Sequence, residues 1–183
     1  MHALPEPPVL FAQLTPLAEA QPDAVERLLD AAFGADRRRR TAYRLREGAI
    51  AIPELSFAAW NEGGLVGTLQ SWPVALRGEG RATPLTMVGP VAVVPAAQGR
   101  GIGSALMDRL VAVAKGPLVM IGDPDYYRRW GFVADAAAGW RIEAGPYEQH
   151  RLLARGAAPN SGILTPRHSR ESGNPASSCC LVE

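Results

Sequence analysis

The stretch from Val91 to Ser104, Val-Ala-Val-Val-Pro-Ala-Ala-Gln-Gly-Arg-Gly-Ile-Gly-Ser, leaves a chain few ways to fold. Val91–Val94 is apolar and mostly β-branched and reads as a buried strand that ends at Pro95. Ile102, Leu106, Leu110 and Val113 then repeat at helical spacing and predict a helix with one apolar face. Lys115, Gly116 and Pro117 supply its stop signals. Between strand and helix lie the alternating glycines Gly99, Gly101 and Gly103. Such a unit brings free backbone N–H groups and a positive helix dipole to one point, where phosphate is held without any particular side chain. A Cβ there would block the close approach of backbone to a pyrophosphate, and some loop positions need a positive φ.

The rest of the chain supplies a frame for this unit. Val9–Leu14 reads as a first strand, ended by Thr15-Pro16. Pro22 suits a first helical turn, Val25, Leu28, Leu29, Ala32 and Phe33 form a core-facing stripe, and Gly34 caps that helix. Thr41–Glu47 predicts a second helix, entered through the run Arg37–Arg40. That run is read either as a solvated helix start or as a rim facing an anion. Leu55–Trp60 and Leu65–Val74 form a hairpin around Asn61-Glu62-Gly63-Gly64, and after Gly78-Glu79-Gly80 the chain returns as Leu85–Val94. Gly89-Pro90 inside that third strand predicts a bulge that frees backbone groups on Val91–Val93 and bends the strand from its next neighbour. Leu118–Ile121 is a short buried strand parallel to the one before. Asp123-Pro124 opens a short helix through Trp130, Gly131 stops it, and Phe132-Val133 begins another strand. Trp140–Ile142 and His150–Leu153 supply the last strands. A meander followed by one β-α-β unit predicts a mixed α/β (α+β) fold, a mostly antiparallel sheet with helices on both faces.

The glycine loop alone does not name its ligand. The dinucleotide fingerprint fails because Ser104 stands where its third glycine belongs, and no Gly-Lys-Ser/Thr follows for a P-loop. Gln98-x-x-Gly101-x-Gly103 after a Val-x-Val strand resembles the acetyl-CoA loop of the GNAT (GCN-related) N-acetyltransferases, and Tyr126-Tyr127-Arg128-Arg129-Trp130-Gly131-Phe132 resembles that family's second motif. The Gly-Asp-Pro-x-Tyr-Tyr form is similar to that of a small bacterial subgroup of predicted N-acetyltransferases. The resemblance covers roughly Val9–Arg155 and implies the GNAT fold, with direct transfer of acetyl from acetyl-CoA, as co-substrate, to a small-molecule or peptide amine. It implies that Gln98, Gly99, Arg100, Gly101, Ile102, Gly103 and Ser104 hold the pyrophosphate. Val91, Ala92 and Val93 would pair with the pantetheine arm, where a freed N–H polarises the thioester carbonyl. Tyr127, four residues before Gly131, takes the position of the general acid that protonates the leaving thiolate, and Tyr126 is read as core. Many family members carry a Glu on the strand matching Leu118–Ile121; this chain has none there, and Asp123 reads first as a helix N-cap, so no base is assigned. The alternative is a non-catalytic CoA-binding module of the same fold.

Charge, cysteines and composition narrow the partners. The formal net charge of the 183 residues is +1, which gives no case for nucleic acid beyond the single basic run. No apolar run approaches a membrane span, and no signal-peptide pattern opens the chain, so a cytoplasmic location is expected, with a homodimer allowed. Adjacent Cys179 and Cys180 make no disulfide framework, and isolated His2, His150 and His168 make no metal site. The domain is expected over residues 1–156. Residues 157–183, rich in Ser, Pro, Gly, Asn and Arg without periodicity, are expected to be a disordered tail.

Overall fold

The computed structural model describes residues 12–167; the cysteine pair, His168 and the sequence after it lie outside the described residues. Eight strands form one sheet in the order β1-β2-β3-β4-β5-β7, with β8 joined to β3 and β6 joined to β8. They are β1 (Gln13–Pro16), β2 (Phe57–Asn61), β3 (Gly64–Gly78), β4 (Arg81–Val93), β5 (Leu118–Ile121), β6 (Gly139–Ile142), β7 (Leu152–Arg155) and β8 (Ser161–Pro166). The helices are α1 (Pro22–Phe33), α2 (Thr41–Arg44), α3 (Ile102–Val113) and α4 (Pro124–Tyr127). All pairings are antiparallel except β4 with β5 and β6 with β8.

Side-chain alternation along the strands decides which helix covers which face. Ala58 and Ala92 pack with Val25, Leu28 and Leu29 of α1. Phe57, Ala59, Leu69 and Val88 pack with Ile102, Leu106, Met107 and Leu110 of α3. Each such aliphatic side chain, fully buried, contributes about 1.5–3 kcal/mol, so these two stripes fix both helices to the sheet. A third cluster, around Trp140, Leu76, Met87 and Leu152, fills the end of the sheet where β8 enters.

Several expectations need correction. Ser161–Pro166 is not a disordered tail but a strand, antiparallel to Val74–Arg77 of β3 and parallel to β6, with Leu164 only 2% exposed. The apolar pair Ile163-Leu164 is enough, because both neighbouring strands are already in place. Phe132-Val133 does not start a strand; Val133 makes an isolated bridge to Ala154 before the chain turns at Asp135–Ala137. The second helix is a single turn, Thr41–Arg44. Of the expected first strand, the described part runs Gln13–Pro16, through Thr15-Pro16 rather than stopping before it.

The arginine run is neither a solvated helix start nor an anion rim at its first residue. Arg37 is 1% exposed and donates to Asp30 Oδ1 at 2.7 Å, Glu26 Oε2 at 2.6 Å and the Tyr43 hydroxyl at 2.6 Å. Arg38 shares Glu26, and Arg40 donates to the Phe33 carbonyl over the Phe33 ring. Burial opposes ionisation of Glu26, but the hydrogen bonds from Arg37 and Arg38 outweigh it and hold the carboxyl below its usual value. The run clamps α1 to the segment leading into α2.

Candidate active site

The predicted bulge is where the sheet opens. Between Leu69↔Val91 and Ser71↔Val88, β4 spends one residue more than β3, and the extra length falls at Gly89-Pro90. Pairing of β4 with β5 covers only Thr86↔Leu118 and Met87↔Val119. Beyond it the strands diverge, and a cleft of about 860 Å³ opens between them. Val88, Gly89, Pro90 and Val91 line one arm; Met120, Ile121, Gly122 and Asp123 line the other. The Val94 N–H bonds to Val66 O of β3 at 2.9 Å. By the alternation of an antiparallel strand, the N–H groups of Val93 and Val91 point the opposite way, to the open edge. Gln98 Nε2 donates to Val93 O on that edge at 3.1 Å.

The glycine loop meets the end of this edge. Gly99 and Gly101 have φ of +75° and +79°, and a Cβ on either would stand in open space. Gly101 caps α3 without a side-chain hydrogen bond, and the first bond inside the helix is Ala105 N–H to Gly101 O. The N–H groups of Ile102, Gly103 and Ser104 thus have no acceptor within the helix, the arrangement that binds an anion. The Ile102 side chain is buried in the core, so Ile102 can contribute only backbone; the Ala92 side chain packs under α1 and its N–H, in phase with that of Val94, faces β3, so Ala92 offers the open edge neither. Arg100 is exposed, and Ser104 is half-buried in the first turn.

Asp123 is the N-cap expected of it: its carboxylate accepts from the N–H groups of Asp125 and Tyr126 at 2.9 and 3.4 Å. The cap starts α4, and Trp130 anchors the segment by donating from Nε1 to Asp108 of α3 at 2.6 Å. Tyr127 is thereby held half-buried against Phe132 and Trp130, lining the cleft. Among the described residues nothing hydrogen-bonds its hydroxyl. Burial pushes its pKa up to about 12, with Tyr126 and Asp123 adding to the rise and Arg151 opposing it. Gly122 leaves room for the ring, since a Cβ there would lie 2.7 Å from two of its carbons.

Two features were missed by sequence reasoning. Tyr126 is not core: it is 37% exposed, under the Arg129 guanidinium, and its hydroxyl stands 3.5 Å from where a Gly103 Cβ would be. Adjacent residues on a helix face different ways, so this tyrosine reaches the glycine loop while Tyr127 reaches the cleft. The opposite wall comes from the α2 segment and the Pro146–Arg151 loop, through Thr41, Tyr43, Arg46, Tyr147 and Arg151. The Thr41 hydroxyl donates to Pro146 O, and Arg44 to Ala144 O at 2.9 Å, tying these two pieces together. No motif marks that wall, because long-range packing assembles it.

The model of the acetyltransferase (GNAT) domain matches residues 13–134. A relative from Escherichia coli strain K12, described as the uncharacterized N-acetyltransferase YjhQ, is 30% identical over 127 residues, covering 66% of this chain and 69% of that protein. The crystal structure of the GNAT family N-acetyltransferase YhbS from Escherichia coli in complex with CoA superposes with a TM-score of 0.65 at 22% identity, covering 91% of this chain and 94% of that one. A GNAT family acetyltransferase from Brucella melitensis, in complex with acetyl-CoA, gives 0.56 at 22% identity and covers 87% and 97%. Both share the fold, including its open, mostly antiparallel sheet. The domain match spans both motifs and the bulged strand between helices, and the chain belongs to the GNAT acetyltransferase family.

Proposed function

We propose that this protein transfers the acetyl group of acetyl-CoA directly to an amine bound in the same cleft, with Tyr127 as the general acid. The observation that carries the reading is an open strand edge that runs from the cleft, where the Tyr127 hydroxyl is unclaimed, to the N-terminus of α3 beside it, which has no side-chain cap. The solved relatives that hold CoA and acetyl-CoA support the same cofactor here. The N–H groups of Ile102, Gly103 and Ser104 take the pyrophosphate, and the pantetheine arm lies along the Val91–Val93 edge as an extra strand would. An N–H of that edge donates to the thioester oxygen as the amine nitrogen attacks the carbonyl carbon. The C–S bond then breaks, Tyr127 Oη–H gives its proton to the leaving thiolate, and the proton shed by the new amide nitrogen restores the phenol by way of solvent.

A free phenol with pKa near 12 is a weak acid towards an ordinary thiolate. Burial raises a thiol pKa as well as a phenol's, so the two groups compete in the same desolvated site, where a hydrogen bond to the developing sulfur charge decides the transfer. The amine poses the opposite demand. An alkylammonium of pKa about 10.4 costs roughly 4–5 kcal/mol to deprotonate at pH 7. Asp123 is committed to the α4 cap, and no residue is assigned as the base. Calorimetric titration with acetyl-CoA, with NAD as control, followed by assay of CoA thiol release across a panel of amines, tests the reading. Binding of acetyl-CoA alone and amine-dependent thiol release are expected. A folded protein that does not bind acetyl-CoA refutes the site assignment.

A further inference from the structure

Arg46 stands just beyond α2, 8% exposed, in the wall facing the β4 bulge. Its guanidinium lies over the Tyr43 ring at 3.5 Å and over the Trp72 ring at 4.8 Å. One of its nitrogens, NH1, donates to Gln70 Oε1 at 3.2 Å and reaches Gly89 O at 3.5 Å. The Tyr43 hydroxyl also acts on Arg46 as a hydrogen-bond acceptor, but among the described residues no carboxylate lies within ion-pair distance. Arg37, a few residues earlier, shows what a satisfied buried arginine looks like here: all three of its nitrogens donate, and Glu26 and Asp30 balance its charge. Glu26 also acts on Arg46, but Arg37 and Arg38 already hold its carboxylate.

A buried cation without a counter-ion is costly, and a fold bears that cost where a ligand supplies the charge. A guanidinium is a planar fork of N–H donors that matches a carboxylate with two parallel hydrogen bonds, and this one lines the cleft. Its position beside Gly89 sets the distance that matters. The thioester carbonyl lies on the Val91–Val93 edge in the reading above, which begins two residues past Gly89, so an acceptor gripped at Arg46 has its amine within a short reach of its own anionic group. Other cations line that side of the cleft, including Arg39, Arg40 and Arg151, against the carboxylates of Asp123 and Glu148. Asp123 is spent on the α4 cap, and Glu148 lies 3.4 Å from His150.

We propose that Arg46 is the specificity residue of the acceptor subsite and that the acceptor is an amine carrying a carboxylate close to the nitrogen, as an amino acid does. This rests on the acetyl-transfer reading and deepens it. The test compares kcat/KM for a series of amino acids with their carboxamides and their decarboxylated amines, in the wild-type enzyme and in Arg46→Gln and Arg46→Lys. The expected result is a preference for the carboxylate of at least about a hundredfold, since a site built to bond a group rejects the analogue that lacks it. In Arg46→Gln that preference falls to a few-fold, mainly through KM, while Arg46→Lys keeps part of it. Calorimetry with acetyl-CoA on each variant reports whether the site remains folded. Equal rates for carboxylate and carboxamide in the wild type overturn the subsite, whatever the variants do. So does a preference that survives Arg46→Gln, or acetyl-CoA binding with no member of the series acetylated. Failure of the wild-type protein to bind acetyl-CoA overturns the underlying acetyl-transfer reading instead and takes the subsite with it.

Discussion

The Tyr127 phenol carries the chemistry proposed for the cleft, and its burial makes a pH prediction. With its pKa pushed up to about 12, it stays protonated in the folded protein across pH 7–10, so a fall in rate over that range belongs to another group. The unfolded chain loses this proton first, near its ordinary value. The stability that Tyr127 contributes is therefore full below about pH 10 and is lost as pH rises from 10 through 12. Tyr127→Phe is expected to lower kcat by roughly 10²–10⁴-fold, with acetyl-CoA affinity kept, and to flatten the alkaline loss of stability measured by urea unfolding at pH 9 and 11. A phenylalanine variant with wild-type kcat removes the proton role. Gly122→Ala tests the same ring by position. A Cβ 2.7 Å from the phenol must push it aside, so kcat is expected to fall at least about tenfold, while Gly116→Ala, whose Cβ meets nothing within 4 Å, leaves it alone. The resemblance to the family motif, with Tyr127 four residues before Gly131, singled this residue out in the sequence as the candidate acid, and the structure puts it in the lining of the cleft. Arg46 and Arg37 were not legible, because a chain rich in arginine gives no local sign of which guanidinium turns inward or lacks a counter-ion.

Elements bounded by strong local signals were legible: α1 with Pro22 and Gly34, α3 with Gly101 and Gly116-Pro117, β5, and the break at Gly89-Pro90. Each boundary there is set by a residue that cannot continue the element. The hairpin strands were read too short, since β3 runs on to Gly78 and β4 starts at Arg81. Their outer halves hold half-polar residues such as Thr83 and Arg77, which a strand gains only by pairing with a partner already in place. The loop before α3 carries the element-scale prediction. Gly101 sits at φ +79°, where an L-residue is strained by about 1–2 kcal/mol, and its Cβ would meet no protein atom. Gly80, in the β3–β4 turn, has φ +72° and equally open surroundings. Gly101→Val and Gly80→Val should therefore lose similar stability in thermal unfolding, while only Gly101→Val loses acetyl-CoA binding, by more than about tenfold, because valine fills the space for the pyrophosphate. Equal affinity in the two variants moves the phosphate site away from α3.

At the scale of the whole molecule, one topological fact makes the cleft: β4 is long, bulged and paired with β5 at only one end. That the chain closes beyond this point could not be read from composition. Residues 157–167 look like tail by their Ser, Pro, Gly and Asn content, yet among the described residues β8 is the only strand partner of β6, and it is the outer partner of β3. Leu164 packs in the cluster that also holds Met87, whose strand forms the floor of the cleft. The sheet therefore runs past residue 156, to Pro166. Leu164→Ala removes a side chain that is 2% exposed, a loss of about 2–5 kcal/mol, which in a domain of this size lowers Tm by roughly 5–20 °C. Ending the chain at Arg155 should cost more, because β6 then has no ladder and Trp140, 1% exposed, loses the Pro159 carbonyl that accepts from its indole N–H at 2.7 Å. Thermal unfolding of both forms decides the matter. A shortened chain that melts at the wild-type temperature would mean that β8 adds nothing to the cooperative unit, and the sheet would then have to hold β6 by packing alone.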